Sequence, residues 1–186
     1  MVGERMADEE MRDEVCPSEK APTMPVSSDE ELYLTSHCLF SGSYTHGLDG
    51  KGRMIVPACF RRRLGEKFVC APSPDFQSIA LYPLSEWIHE QDELEKKLKE
   101  DARMERLIAY FNKYSFPESE TDVQGRLLLP VRLRQRYLGD ARNLEISGSK
   151  RYVRVVSTEC GEEEDEKLFL DFPDPLAFMA QIGRKD

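Results

Sequence analysis

Apolar positions along this chain recur with two periods. From Phe40 onward, Tyr44, His46 and Leu48 alternate with small or polar residues, which predicts a strand with one buried face. Asp49-Gly50-Lys51-Gly52-Arg53 then reads as a turn, and Met54-Ile55-Val56 as a short strand that Pro57 stops. Ala58–Leu64 reads as a short helix closed by Gly65. Phe68-Val69-Cys70 and Ile79-Ala80-Leu81-Tyr82 predict two further strands. Ser85 offers an N-cap for a helical stretch over 86–113. In it Trp87, Ile88, Leu94 and Leu98 form one apolar stripe, and Leu107, Ile108 and Phe111 a second. The pattern lapses at Glu100-Asp101, so two helices are predicted. Phe116 to Thr121 reads as extended, with Pro117 suited to an edge or a strand start. Glu159 and the run Glu162 to Glu166 predict a solvated loop, and Pro175 to Ile182 a last short helix. Before residue 39, Pro17, Pro22 and Pro25 sit in a stretch without periodicity, so 1–38 is expected to be a disordered acidic arm.

The strongest internal signal is a repeat. The segment from Asp49 to Arg61 returns as Asp122-Val123-Gln124-Gly125-Arg126-Leu127-Leu128-Leu129-Pro130-Val131-Arg132-Leu133-Arg134. Asp, Gly, Arg, Pro and the final Arg coincide, and every position between Arg and Pro stays apolar. Leu64-Gly65-Glu66 returns as Leu138-Gly139-Asp140 after a one-residue slip, followed by strand-like Leu144-Glu145-Ile146 and Tyr152 to Val156. Each copy reads strand–turn–strand–short helix–strand–strand. Neither is large enough to bury its own core, so the two are expected to form one barrel-like β body with packed helices, an α+β fold.

The turn has a chemical logic. Asp49 and Asp122 can accept backbone N–H groups two or three residues on and so hold a tight loop. Gly52 and Gly125 permit a positive φ. Arg53 and Arg126 leave the turn with a guanidinium fork that suits a phosphate or a base edge, or forms a local salt bridge. Two pseudo-symmetric aspartates also invite comparison with a carboxylate dyad, which needs one raised pKa. Here Arg53, Arg126 and Lys51 would lower both, so no shared proton is expected. Arg61 and Arg134 each lie one short helix further on, either as secondary phosphate contacts or as partners in salt bridges.

Charge first argues the other way. Among 186 residues, 35 Asp+Glu stand against 26 Lys+Arg, a formal net charge of −9. Residues 1–37 carry 10 acidic and 3 basic side chains, and 159–186 carry 9 and 3, leaving 38–158 at +4. The acidity belongs to the ends, and the duplicated middle is mildly basic, as phosphate contact requires. These acidic ends are either an attachment surface for a basic partner or a mask over the basic turns. No run of about 18 apolar residues predicts a membrane span, and the first residues have no apolar core of a secretory signal. Five scattered cysteines without a C-x-x-C pair predict neither a disulfide framework nor a zinc site. No phosphate-binding glycine loop, His-Glu zinc motif or Ser/His/Asp pattern is present, so the chain is not expected to be an enzyme, and no cofactor is expected.

Gly42-x-Tyr44-x-His46-x-Leu48-Asp49-x-Lys51-Gly52-Arg53, then Pro57, Phe60-Arg61, Leu81-Tyr82-Pro83 and Trp87, resembles the first half of MraZ proteins. Asp122-x-x-Gly125-Arg126-Leu127-x-Leu129-Pro130-x-x-Leu133-Arg134 resembles their second half. The resemblance spans about residues 39–160. It implies two tandem SpoVT-AbrB-like repeats of the swapped-hairpin or double-psi type, over 39–89 and 115–160, joined by a helical connection over 90–114. An acidic segment with a short helix, 161–186, follows. It further implies a transcriptional regulator of division and cell-wall genes that assembles into a ring. Double-stranded operator repeats would be read by the Asp-x-x-Gly-Arg loops, through Arg53 and Arg126 with Lys51 and Gln124 beside them. Localisation would be cytoplasmic and nucleoid-associated, with no membrane and no small-molecule substrate. The rival expectation is an oligomeric interaction scaffold that uses its acidic arms without DNA. Two departures from the family pattern stand out. Gln124 replaces the lysine of the first turn, and no tryptophan in the second half answers Trp87.

Overall fold

The structure is a computed structural model that describes residues 40–182. The predicted acidic arm, 1–38, lies outside the described residues. The first copy forms β1 (Ser43–Gly47), β2 (Arg53–Ile55), α1 (Ala58–Leu64), β3 (Phe68–Pro72) and β4 (Ile79–Pro83). Two helices follow, α2 (Leu84–Glu100) and α3 (Met104–Lys113). The second copy forms β5 (Phe116–Ser119), β6 (Arg126–Leu128), α4 (Val131–Tyr137), β7 (Asn143–Ser149) and β8 (Tyr152–Ser157). The described chain closes with α5 (Thr158–Asp171) and α6 (Pro175–Ile182).

Six strands form one antiparallel sheet in the order β1-β7-β8-β4-β3-β5, and β2 pairs with β6 in a separate ribbon. Exchanging corresponding strands of the two copies leaves this order unchanged. Ile79 opposite Val155 and Leu81 opposite Val153 place the centre of the exchange between β4 and β8. The first strand of each copy thus pairs with the other copy: β1 with β7, and β5 with β3.

The expected closed barrel is not what forms. β1 and β5 are opposite edges of an open sheet. The strands that would have closed it, β2 and β6, have three residues each and run directly into Val56-Pro57 and Leu129-Pro130. Proline donates no ladder hydrogen bond, so each short strand finds its partner in its duplicate. The ribbon then covers one face of the sheet instead of joining it.

That cover makes the main core. Met54, Val56, Leu127 and Leu129 of the ribbon segments and Phe60, Leu64, Leu133 and Leu138 of the short helical regions meet the sheet. They pack on Phe68, Cys70, Ile79, Leu81, Leu144, Ile146, Val153 and Val155. On the opposite face, Val69, Ala71, Ala80 and Tyr82 pack under α2 and α3 with Trp87, Leu94 and Phe111. Trp87 stacks on Phe111 with ring centroids 5.2 Å apart. Covered on both sides, β3 and β4 are buried along their whole length, which is why they read as continuous apolar runs.

Three local readings change. Helix α2 begins at Leu84, directly after Pro83, without a side-chain cap from Ser85. Ile88 and Leu107, expected in the apolar stripes, are exposed. The acidic run Glu162 to Glu166 is helical, not a loop. Like charges four apart disfavour a helix, but two contacts offset them here. The Ser157 side chain accepts the Cys160 N–H at 3.2 Å, and Glu164 pairs with Arg154 of β8. The predicted Pro175–Ile182 helix is present.

Candidate nucleic-acid interface

The two duplicated turns have the same internal hydrogen bonds. In the first, Asp49 Oδ1 accepts the N–H groups of Lys51 (2.8 Å) and Arg53 (2.9 Å), while Arg53 Nε donates to Asp49 Oδ2 at 2.7 Å. In the second, Asp122 Oδ1 accepts from Gln124 and Arg126, each at 2.9 Å, while Arg126 Nε donates to Asp122 Oδ2 at 2.8 Å. The Gly52 and Gly125 N–H groups close the turns on the carbonyls of Asp49 and Asp122 at 2.9 and 2.8 Å. Their φ values of 80° and 76° lie in the left-handed region that favours glycine.

The ribbon ties the turns together. Val56 N–H donates to the Gly125 carbonyl and Leu129 N–H to the Gly52 carbonyl, both at 3.0 Å. Arg53 lies opposite Leu128, Met54 opposite Leu127, and Ile55 opposite Arg126. Because side chains alternate along a strand, Arg53, Ile55, Arg126 and Leu128 share the outer face, while Met54 and Leu127 point into the core. The turns therefore sit at opposite ends of the ribbon, each placing one arginine on its outer face. Lys51, Val123 and Gln124 are exposed in the turns. The side chains of Arg53 and Arg126 are 28% and 33% exposed, so part of each guanidinium can meet a ligand while Nε of Arg53, and Nε and Nη2 of Arg126, stay on the aspartate.

The aspartates titrate as a structural pair would, not as a dyad. Asp49 is held down from 3.8 to about 2, first by the backbone N–H of Arg53; burial opposes this, and the Arg53 guanidinium and the Lys51 N–H add to the lowering. Asp122 is lowered for the same leading reason, the N–H of Arg126. The arginines expected to lower both do so, but the backbone contributes most, and Lys51 acts through its N–H and not its ammonium. A carboxylate lowered on folding stabilises the turn above its ordinary pKa, and that contribution is lost only as pH falls through about 2. The carbon-13 shift of the Asp49 carboxyl is therefore expected to titrate with a midpoint near 2. A midpoint near the ordinary value of about 4 would show that the turn is not pinned this way.

Arg61 and Arg134 are half-buried, unlike exposed Arg63 and Arg132. Each crosses to the other copy, Arg134 over Gly52 and Arg61 over Gly125. Alternation within Arg53-Met54-Ile55 and Arg126-Leu127-Leu128 was available as a signal that Ile55 and Leu128 share a face with the arginines. The pairing that puts all four side by side is nonlocal and left no local mark. Among the described residues, no cluster of three His, Cys, Asp or Glu side chains has metal-binding geometry, and no helix is long and apolar enough to cross a membrane. The α5 acids Glu163 and Glu164 pair with Lys167 and Arg154, whereas the turn arginines pair with their own aspartates.

A duplicated antiparallel α+β body carries two matching cation-bearing turns on one ribbon, a two-fold design. Residues 39–109 match the family described as "MraZ protein, putative antitoxin-like". The transcriptional regulator MraZ of Syntrophomonas wolfei is 39% identical over 148 residues, covering 78% of this chain and 99% of that protein. The one from Halothermothrix orenii is 36% identical over 141 residues, covering 70% and 94%. The one from Desulfitobacterium hafniense is 42% identical over 100 residues, covering 52% and 66%. The chain belongs to the MraZ family. With that membership it is a transcriptional regulator and not an enzyme.

Proposed function

We propose that this chain regulates transcription by binding double-stranded operator DNA through the outer face of the β2–β6 ribbon and its two turns. The carrying observation is the register that sets Arg53 and Arg126 on one face, diagonally across a two-stranded ribbon. A ribbon of this width fits the major groove, where a guanidinium reads guanine and exposed aliphatic side chains such as Ile55 and Leu128 can meet thymine methyl groups. Lys51 and Gln124, in the turn tips, flank the arginines at the phosphates. Asp49, Gly52, Asp122 and Gly125 shape the turns and touch no DNA. The strand exchange between copies supports reading 39–89 and 115–160 as SpoVT-AbrB-like repeats of the swapped-hairpin type.

A core charge of +4 is small for one chain on DNA. A ring of copies would present many such ribbons to repeated operator boxes, and linking modest contacts raises overall affinity without new ones. Bound in this way, the protein would reside at the nucleoid. A gel shift comparing a duplex carrying repeated boxes with a scrambled duplex, over a salt series, tests the reading. Retardation of the repeat-bearing duplex, weakening steeply with salt, is expected. Equal behaviour of both duplexes at low salt would overturn sequence-specific binding and favour the scaffold.

A further inference from the structure

We infer that Arg61 and Arg134 are positioning residues that form a crossed latch, each fixing the DNA-facing turn of the opposite copy. Gly52 and Gly125 are buried although both lie in turns whose preceding residues, Lys51 and Gln124, are exposed. Guanidinium groups cover them. A Cβ built on Gly52 would lie 2.6 Å from Arg134 Cζ, and one built on Gly125 2.5 Å from Arg61 Cζ. Only glycine leaves room for a planar fork to lie flat against the peptide, so the glycines meet two demands at once, positive φ and the arginine.

The Arg61 latch closes a circuit. Its Nη1 donates to the Val56 carbonyl at 3.0 Å, and the Val56 N–H donates to the Gly125 carbonyl at 3.0 Å. Helix α1 of the first copy therefore grips the second turn through the ribbon. Arg134 of α4 lies over the first turn, whose Gly52 carbonyl accepts the Leu129 N–H. Each turn is held by its own aspartate from one side and by the other copy's arginine from the other. Each turn is thereby tied to one arginine of the opposite copy, and neither arginine contacts phosphate.

Amide exchange on the full chain without DNA tests the latch. Arg134→Lys is expected to speed exchange at Lys51, Gly52 and Arg53 about tenfold, leaving Gln124, Gly125 and Arg126 as in the parent protein. Arg61→Lys is expected to give the mirror image. Disturbance confined to the substituted helix, or spread equally over both turns, would overturn the latch. Gly125→Ala is a second probe should a lysine variant fold poorly. It is expected to shift the Arg61 Nε resonance while that of Arg134 stays in place; an unmoved Arg61 resonance overturns the contact. The consequence for DNA rests on the reading above. Lysine and alanine variants are expected to bind a repeat-bearing duplex equally weakly, about tenfold below the parent, because lysine keeps the charge but not the fork. Restoration of parental affinity by lysine would make these residues charge contacts instead. A parent protein that does not bind the duplex would overturn the DNA reading and leave the exchange pattern to decide the latch.

Discussion

Replacing Arg53 and Arg126 together by alanine is expected to abolish specific operator binding while leaving the fold intact. A good arginine contact to a base edge contributes about 1–3 kcal/mol of discrimination, so each single variant should lose roughly 10- to 100-fold and the pair about the product. The slope of log affinity against log salt should become shallower by about one unit for each arginine that meets a phosphate. Neither side chain belongs to the core, and each bonds only within its own turn, so the thermal midpoint should scarcely move. Fluorescence anisotropy over a salt series, beside a thermal melt, reads both quantities. Parental affinity at every salt concentration would place the DNA-contacting surface elsewhere. The single variants also test the asymmetry between the turns. Lys51 stands beside Arg53 where Gln124 stands beside Arg126, so losing Arg126 leaves its turn without a cation, whereas losing Arg53 leaves Lys51 at its own.

Leu129→Ala is expected to be among the most destabilising single substitutions, costing about 2–5 kcal/mol, the range for truncating a buried leucine. Leu129 is wholly buried where the ribbon runs into α4, among the residues that hold the ribbon onto the sheet. For a domain with a total stability of about 5–15 kcal/mol, that is a large share. Its neighbour Leu128 is 59% exposed on the outer face, and Leu128→Ala should stay within about 0.5 kcal/mol. Urea midpoints of the two variants check the face assignment directly. A one-residue slip of register would turn Leu128 inward and Leu129 outward and reverse the order. Equal costs would therefore contradict the ribbon as described.

What the sequence disclosed and what it withheld divide along locality. The turns were legible because Asp49 to Arg53 specify them within five positions, and Asp122 to Arg126 do so again. Strand positions were legible where one face is polar, as in Tyr44-x-His46. The open sheet was not, because whether β2 closes a barrel or pairs with β6 depends on residues far apart in the chain and on the prolines that follow both strands. Helix α5 departs from the predicted loop for a related reason. Its glutamates argue against a helix until Arg154, from another strand, supplies a partner for Glu164. Arg61 and Arg134 stand out in the sequence as repeated arginines, but their crossing to the opposite glycines exists only once the copies are intertwined.

The exchanged strand order also governs when this protein can first become folded. Strand β1 borders only β7, and β4 gains its second neighbour only in β8. A chain emerging from a ribosome at about 5–20 residues per second therefore carries β1 without its neighbour for several seconds, until the second copy has been made. The first copy alone has no complete sheet to settle into, and a polypeptide halted before β7 leaves its strand edges open to other chains. Intertwining makes synthesis of the last strand, rather than the first, the event that commits the molecule to its native state.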